Sequence, residues 1–334
     1  MWHLMSGKAD ESRRRRVHQR IRRRLSWFRV GSTAFEGAFP AEFSRLPKGT
    51  PPLYFCPICL HGFPIEGASD GRLTEEHAPP ESLKGRGICL TCKRCNDEAG
   101  SGLDSHMLRA ENPIAVLRGE RPDQSHLIRF RINDEPGIRG TLKVRSDGTM
   151  RLEGQPRHTH PEHIMRLQAT MQQLVASGST DWKVHFDFDR DTHDTLRARV
   201  GWLRAGYLVA FAYFGYRYAL APALNRVRDQ IRQFQNEQIP AFKLMDPHAH
   251  PDRRLLGVAA EPIRCIAVAM GRHTILLPEP TDETFYERLS VLRTAAGDRA
   301  TSFSGVHLLD WPRRPMHVLD FHKQMGSPTG EESA

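Results

Sequence analysis

The stretch "LTEEHAPPESLKGRGICLTCKRCNDEAG", residues 73–100, sets the acidic-His pair Glu76 and His77 ahead of the cysteine pair Cys92 and Cys95, which Asn96 follows directly. Upstream, "CPIC" at 56–59 supplies a second pair. Two such pairs, each with two intervening residues, let four thiolates reach one ion, and tetrahedral zinc is the usual occupant. A closed sphere of four sulfurs leaves no position at which water could be activated. Cys56, Cys59, Cys92 and Cys95 therefore read as ligands of a structural Zn2+ that supplies folding energy to a small module. Cys89 leaves the register open, because Cys89 and Cys92 share the same spacing.

A plain zinc ribbon needs nothing particular between its knuckles, yet Glu76 and His77 lie there. Together "CPIC", "LTEEHAPP" and "LTCKRCN" resemble the HNH endonuclease family in its four-cysteine zinc-bearing branch, with a likeness to phage endonuclease VII type resolvases. The resemblance is confined to the cysteine-rich stretch and the helix after it, and is silent on the rest of the chain. It implies a ββα-metal core in which a hairpin presents the acidic-His pair and the helix after the second knuckle adds a ligand. On that resemblance Glu76 matches the acidic ligand of a catalytic Mg2+ or Mn2+, His77 the general base, and Asn96 the amide position opening the helix. The last family position falls where this sequence offers Asp104, Ser105 and His106. A carboxylate oxygen suits magnesium better than imidazole does, which favours Asp104 over His106.

Chemistry supports the same division of roles. Phosphodiester cleavage needs a water made nucleophilic near neutral pH, and imidazole, which ordinarily titrates at about 6.5, is matched to taking that proton. A cation held by Glu76 with Asn96 or Asp104 stabilises charge growing on the phosphate and the leaving oxygen. Pro79 and Pro80 stiffen the loop after the base, while Gly85 and Gly87 permit the turn back toward the second knuckle. Lys84, Arg86, Lys93 and Arg94 add positive charge nearby. The resemblance points to double-stranded DNA as substrate, in settings such as bacterial restriction, defence or mobile elements. The alternative is a non-catalytic, zinc-stabilised nucleic-acid-binding protein.

A chain of 334 residues exceeds what one small core organises, so several domains are expected. Hydrophobic residues at 39% and charged residues at 26% describe a globular protein rather than a disordered or membrane-embedded one. The net charge is +9, and residues 1–30 carry nearly all of it, with one lysine and nine arginines against two acids. That run reads as a polyanion-contacting arm, a solvated tail or a signal that addresses the protein elsewhere. Val17, Ile21, Leu25 and Phe28 recur within it at helical spacing, predicting an amphipathic helix. Met5 is an alternative start. Five of the six cysteines fall between Cys56 and Cys95, which points to metal binding in a reducing, cytoplasmic compartment rather than to disulfides. The apolar run at 201–224 is interrupted by Arg204 and Arg217, too closely spaced for a membrane span, so a buried helix is expected and no membrane partner.

The predicted fold class is α+β: a basic arm and linker over 1–50, an HNH-type zinc-bearing module over 51–111, an α+β domain over 112–325, and a disordered tail over 326–334. Alternation in "LIRFRI", "TLKVR" and "TMRLEG" predicts an antiparallel meander, followed by a helix over "PEHIMRLQATMQQLVASG". "DWKVHFDFDRD" reads as a strand, Thr195–Gln235 as helical with a break near Pro222, and "IRCIAVAM" with "HTILLP" as a strand pair. Residues 112–325 are assigned no single role; substrate recognition, homo-oligomer assembly and docking of a regulatory partner stay open. "DPHAHPD" with His248, His250 and Asp252 reads as a loop rather than a second metal site. "DFDRDTHDTLRA" lacks the glycine and glutamate of a calcium loop. The aromatics of 202–218 read as core rather than as a base-stacking platform.

Overall fold

The computed structural model describes residues 2–45, 47–178, 180, 182–188, 193–240, 242–246, 248–297 and 303–318, with side chains from Glu11 onward apart from Arg13. The tail over 326–334 and the acidic run at Asp189 and Asp191 lie outside these residues. The chain opens with helices α1 (Trp2–Ala38) and α2 (Pro40–Phe43), the short strands β1 (Tyr54–Phe55) and β2 (Gly62–Phe63), and helix α3 (Glu66–Asp70). The hairpin strands β3 (Leu73–Ala78) and β4 (Arg86–Cys92) follow, then α4 (Lys93–Ala99), a π-helical turn over Gly100–Asp104, and α5 (Ser105–Leu117). Next come β5 (Ser125–Ile132), β6 (Ile138–Val144), β7 (Met150–Gly154), α6 (Pro161–Ser177) and β8 (Val184–Asp187). The remainder runs α7 (Thr195–Phe214), α8 (Tyr216–Ala219), α9 (Asn225–Arg232), β9 (Lys243–Met245), β10 (Arg254–Ala259), β11 (Cys265–Met270), β12 (His273–Leu277), α10 (Phe285–Ala296) and β13 (His307–Leu309). Helices and antiparallel strands in separate runs make this an α+β chain. Among the described residues no helix is long and apolar enough to cross a membrane.

The compact units join residues on both sides of the boundary expected at 111. One unit joins residues 1–104 with 199–334, and the other is residues 105–198. The reason is packing. Tyr207 on α7 donates to the Pro57 carbonyl at 2.8 Å, and Tyr216 on α8 donates to the Phe55 carbonyl at 2.6 Å. Both carbonyls lie at the first cysteine knuckle, so that knuckle closes against residues 150 and 161 positions later in the chain. On its other side α7 meets a five-stranded antiparallel sheet of order β13-β10-β11-β12-β9. A Cβ on Gly206 would lie 2.8 Å from the Ile275 side chain, so glycine allows the close approach of α7 to β12. The helix between Val200 and Phe214 is buried all round, which explains an apolar run that does not span a bilayer. The helical region breaks at Gly215, with φ +75, ahead of Pro222.

Helix α1 extends to Ala38, well past the arm read from charge alone. Its apolar residues bury only toward the C-terminal half: Trp27 and Phe28 are core, whereas Val17 is 51% exposed. The expected amphipathic stripe is therefore confined to the part of the helix that packs. There Gly31 lets α1 approach β1, since a Cβ would sit 2.3 Å from the Tyr54 ring.

The second unit is a four-stranded antiparallel sheet of order β7-β6-β5-β8 with helix α6. Strict alternation places Ile128, Phe130, Ile132, Ile138, Leu142 and Val144 in a core with Leu167 of α6. The meander expected from sequence is present, with β8 added along the far edge of β5.

Candidate metal centre and adjoining acidic cluster

The zinc reading rests on geometry that the hairpin and first knuckle create together. Strand β4 runs directly into α4, and Cys92 caps that helix, its sulfur accepting the Cys95 amide. The first knuckle brings Cys56 and Cys59 to the same place, where the Cys92 amide donates to the Cys56 sulfur. The ligand atoms of Cys56, Cys59, Cys92 and Cys95 all lie within 4.8 Å of one another. The sulfurs of Cys59 and Cys92 are 3.7 Å apart. A tetrahedron with Zn–S bonds of about 2.3 Å has edges of about 3.8 Å, so the four sulfurs fit that ion. None of the cysteines is in a disulfide. Burial raises the Cys56 thiol, and Cys95 is raised too, with Cys56 opposing and Cys59 and Cys92 driving the rise, whereas hydrogen bonding within the cluster, from Cys56 first, lowers Cys59 and brings Cys92 to about 7. Thiolate character at neutral pH is what a metal requires of its ligands. The cluster could hold a metal ion such as zinc.

The alternative register is resolved by β-pairing. Cys89 pairs across the hairpin with Glu76 and is buried away from the other four sulfurs. Burial, and then the Glu76 charge, raise its thiol well above the ordinary range.

The strands pair Glu76 with Cys89 and His77 with Gly87, so Ile88 is an extra residue on β4. Such a bulge re-aims the side chains that flank it. His77, half-buried beside the bulge, makes no hydrogen bond or ion pair among the described residues. Glu76 is in a different situation. It is 2% exposed, and its Oε2 accepts from the Thr91 hydroxyl at 2.8 Å and from Arg204 Nη2 at 2.6 Å. Arg204, carried by α7, is buried too. A charge pair removed from water is held by mutual attraction and by the extra hydrogen bond, and removing one partner strands the other.

Asp104 ends the π-helical turn after α4. Burial is the first cause that pushes its carboxyl up to about 6, with Arg204 opposing and Glu76 reinforcing that rise. Asp104, Glu76 and Arg204 thus share one electrostatic neighbourhood. Asn96 does not face it with its amide nitrogen, which donates to the Thr74 hydroxyl at 3.1 Å; that hydroxyl in turn donates to the Thr91 carbonyl at 3.3 Å. Asn96 therefore fastens α4 onto the hairpin. His106 belongs to the other unit, and its Nδ1 accepts the Asp194 amide at 2.9 Å.

Glu76 and Asp104, expected to hold a catalytic divalent cation with Asn96, are not joined by a third His, Cys, Asp or Glu ligand atom among the described residues. Among the described residues the cysteine cluster is the one group of three or more His, Cys, Asp or Glu ligand atoms placed to hold a metal. The carboxylate expected to bind the cation instead binds Arg204. Arg204 and Thr91 are the residues that sequence reasoning missed at this site. A charged residue inside the apolar run of α7 was the available signal, because a buried arginine demands a carboxylate. No family model matches this chain, and neither a curated protein nor a solved structure matches it.

Two outcomes are expected. Arg204→Met, which leaves Glu76 buried and uncompensated, lowers the unfolding free energy of the metal-loaded protein by about 3–5 kcal/mol in guanidinium titration. Adding Glu76→Gln to that variant restores part of the loss; a single-variant loss near zero contradicts the pairing. Asp104 carries a folded-state pKa of about 6 against an ordinary 3.8, so the folded state binds more protons between those values. Its contribution to stability is present at low pH and lost as pH rises through about 6. Asp104→Asn therefore gains stability over the parent at pH 7, and the gain closes toward pH 4 in denaturant titrations; a gap independent of pH contradicts the shift.

Proposed function

We propose that the chain is an HNH-type endonuclease that hydrolyses phosphodiester bonds in double-stranded DNA in the cytoplasm, with His77 as general base in a zinc-stapled ββα module. The observation that carries this reading is the position of His77: beside the hairpin bulge, adjacent to the buried Glu76, with no hydrogen bond to occupy its ring among the described residues. In that role His77 takes a proton from the attacking water. The new phosphorus–oxygen bond forms as the bond to the 3′ oxygen breaks, and a proton supplied by solvent completes the leaving alcohol. The arginines of α1 support a polyanionic substrate: Arg14–Arg16, Arg20, Arg22 and Arg23 are exposed, and Arg23 also pairs with Glu75, two residues from His77. A requirement for Mg2+ or Mn2+ belongs to the same reading. No step is assigned to the ion, because Glu76 is already held by Arg204 and Thr91.

That engagement of Glu76 favours a second reading, a zinc-stabilised nucleic-acid-binding protein without chemistry. Nicking of supercoiled plasmid separates the two. With Mg2+ or Mn2+ added, the parent is expected to nick, and His77→Ala to lose roughly 10²- to 10⁴-fold in rate with metal content and melting unchanged. Equal cutting by both refutes His77 as base. Absence of cutting by the parent with either ion supports the binding protein.

A further inference from the structure

We propose that the outer face of the four-stranded sheet in residues 105–198 grips the phosphate backbone of duplex DNA. The inference rests on the reading of a DNA partner but does not require hydrolysis. One face of this sheet packs the apolar core with α6; the other faces solvent. Residues 105–198 hold fourteen lysines and arginines against thirteen acids, so the unit as a whole has almost no net charge. The charges are nevertheless segregated. The solvent face gathers Arg129 and Arg131 of β5, Arg139 and Lys143 of β6 and Arg151 of β7, with Glu153, Asp187 and, beside Lys143, Asp123 as its acids.

Arg129 stands directly opposite Arg139 on β6 and Asp187 on β8. Like charges at such positions destabilise a sheet, because their β-carbons are held only about 5 Å apart. A solvated face chosen for solubility alone mixes its signs. Lys143 and Arg151 have carboxylate partners in Asp123 and Glu153, whereas Arg129 and Arg131 form no ion pair among the described residues. Arg129 and Arg131 are two residues apart on one strand, hence about 6.8 Å, close enough for each to meet a successive phosphate of one DNA strand. A line of phosphates at that spacing neutralises the charges the sheet holds together. Arginine suits the role through its fixed fork of donors.

The test uses the full chain bearing His77→Ala, so that cutting does not disturb binding, and a fluorescein-labelled 20-bp duplex read by anisotropy across a NaCl series. Adding Arg129→Ser and Arg131→Ser is expected to weaken binding at least tenfold at low salt. It should also reduce the slope of log Kd against log [NaCl] by about 2, close to one for each phosphate that a removed arginine would have neutralised. The melting temperature should hold or rise, since a like-charge pair is relieved. Should the double variant fail to fold, Arg151→Ser on the same face serves, with a slope change of about 1. Arg166→Ser on α6 is expected to leave both readouts unchanged. An unaltered affinity and slope in the folded face variants overturns the proposal while leaving the hydrolytic reading intact. Failure of the parent background to bind the duplex at all removes the DNA reading and this inference with it. Loss of binding to phosphatidylglycerol vesicles without loss on DNA assigns the face to a membrane surface and also overturns the proposal.

Discussion

Four sulfurs within 4.8 Å of one another are the constraint on which the rest of the first unit depends. Thiols packed this closely cannot all ionise in the absence of a cation, yet hydrogen bonding within the cluster already draws Cys59 and Cys92 toward the thiolate. A divalent ion resolves the conflict by converting mutual repulsion into coordination. The ion would tie the β1–β2 knuckle to the junction of β4 and α4, and thereby fix the hairpin that carries Glu76 and His77. Tyrosines of α7 and α8 extend the same constraint outward, since their hydroxyls bond the carbonyls of the first knuckle. A module that looks autonomous in sequence is in this way built into a larger unit with residues 199–334.

The buried pair of Glu76 and Arg204 gives the site its particular character. A carboxylate buried beside a hairpin bulge needs a positive partner, and α7 delivers one from 128 residues away. Arginine and a divalent ion answer the same electrostatic demand at Glu76, so the two compete for one oxygen-donor environment. Asp104 feels both charges, and burial keeps its carboxyl protonated further toward neutrality than an exposed aspartate.

Short-range signals were legible in the sequence. Cysteine spacing picked out the four cysteines whose sulfurs gather, with Cys89 as a competing register, alternation gave β5, β6 and β7, and the hairpin was expected from the family resemblance. What escaped was set by pairings between residues distant along the chain. Arg204 served in the sequence reading only to exclude a membrane span, although its place in an apolar helix already implied a buried acid. The register of Cys89 could not be read from spacing, because two overlapping pairs fit equally well until β-pairing set Cys89 opposite Glu76. Asn96 stands where a family-like amide is expected, but its hydrogen bond to Thr74 depends on how α4 lies across the hairpin. The strands β9, β10 and β13 are short or flanked by loops, and only the completed sheet reveals them.

The most direct test of this account is X-ray absorption at the zinc edge on purified protein, together with elemental stoichiometry. One zinc per chain with four sulfur scatterers at about 2.3 Å is the expected result. Sub-stoichiometric zinc in folded protein, or a first shell containing nitrogen or oxygen, would contradict the claim that these four cysteines and a single ion organise the hairpin.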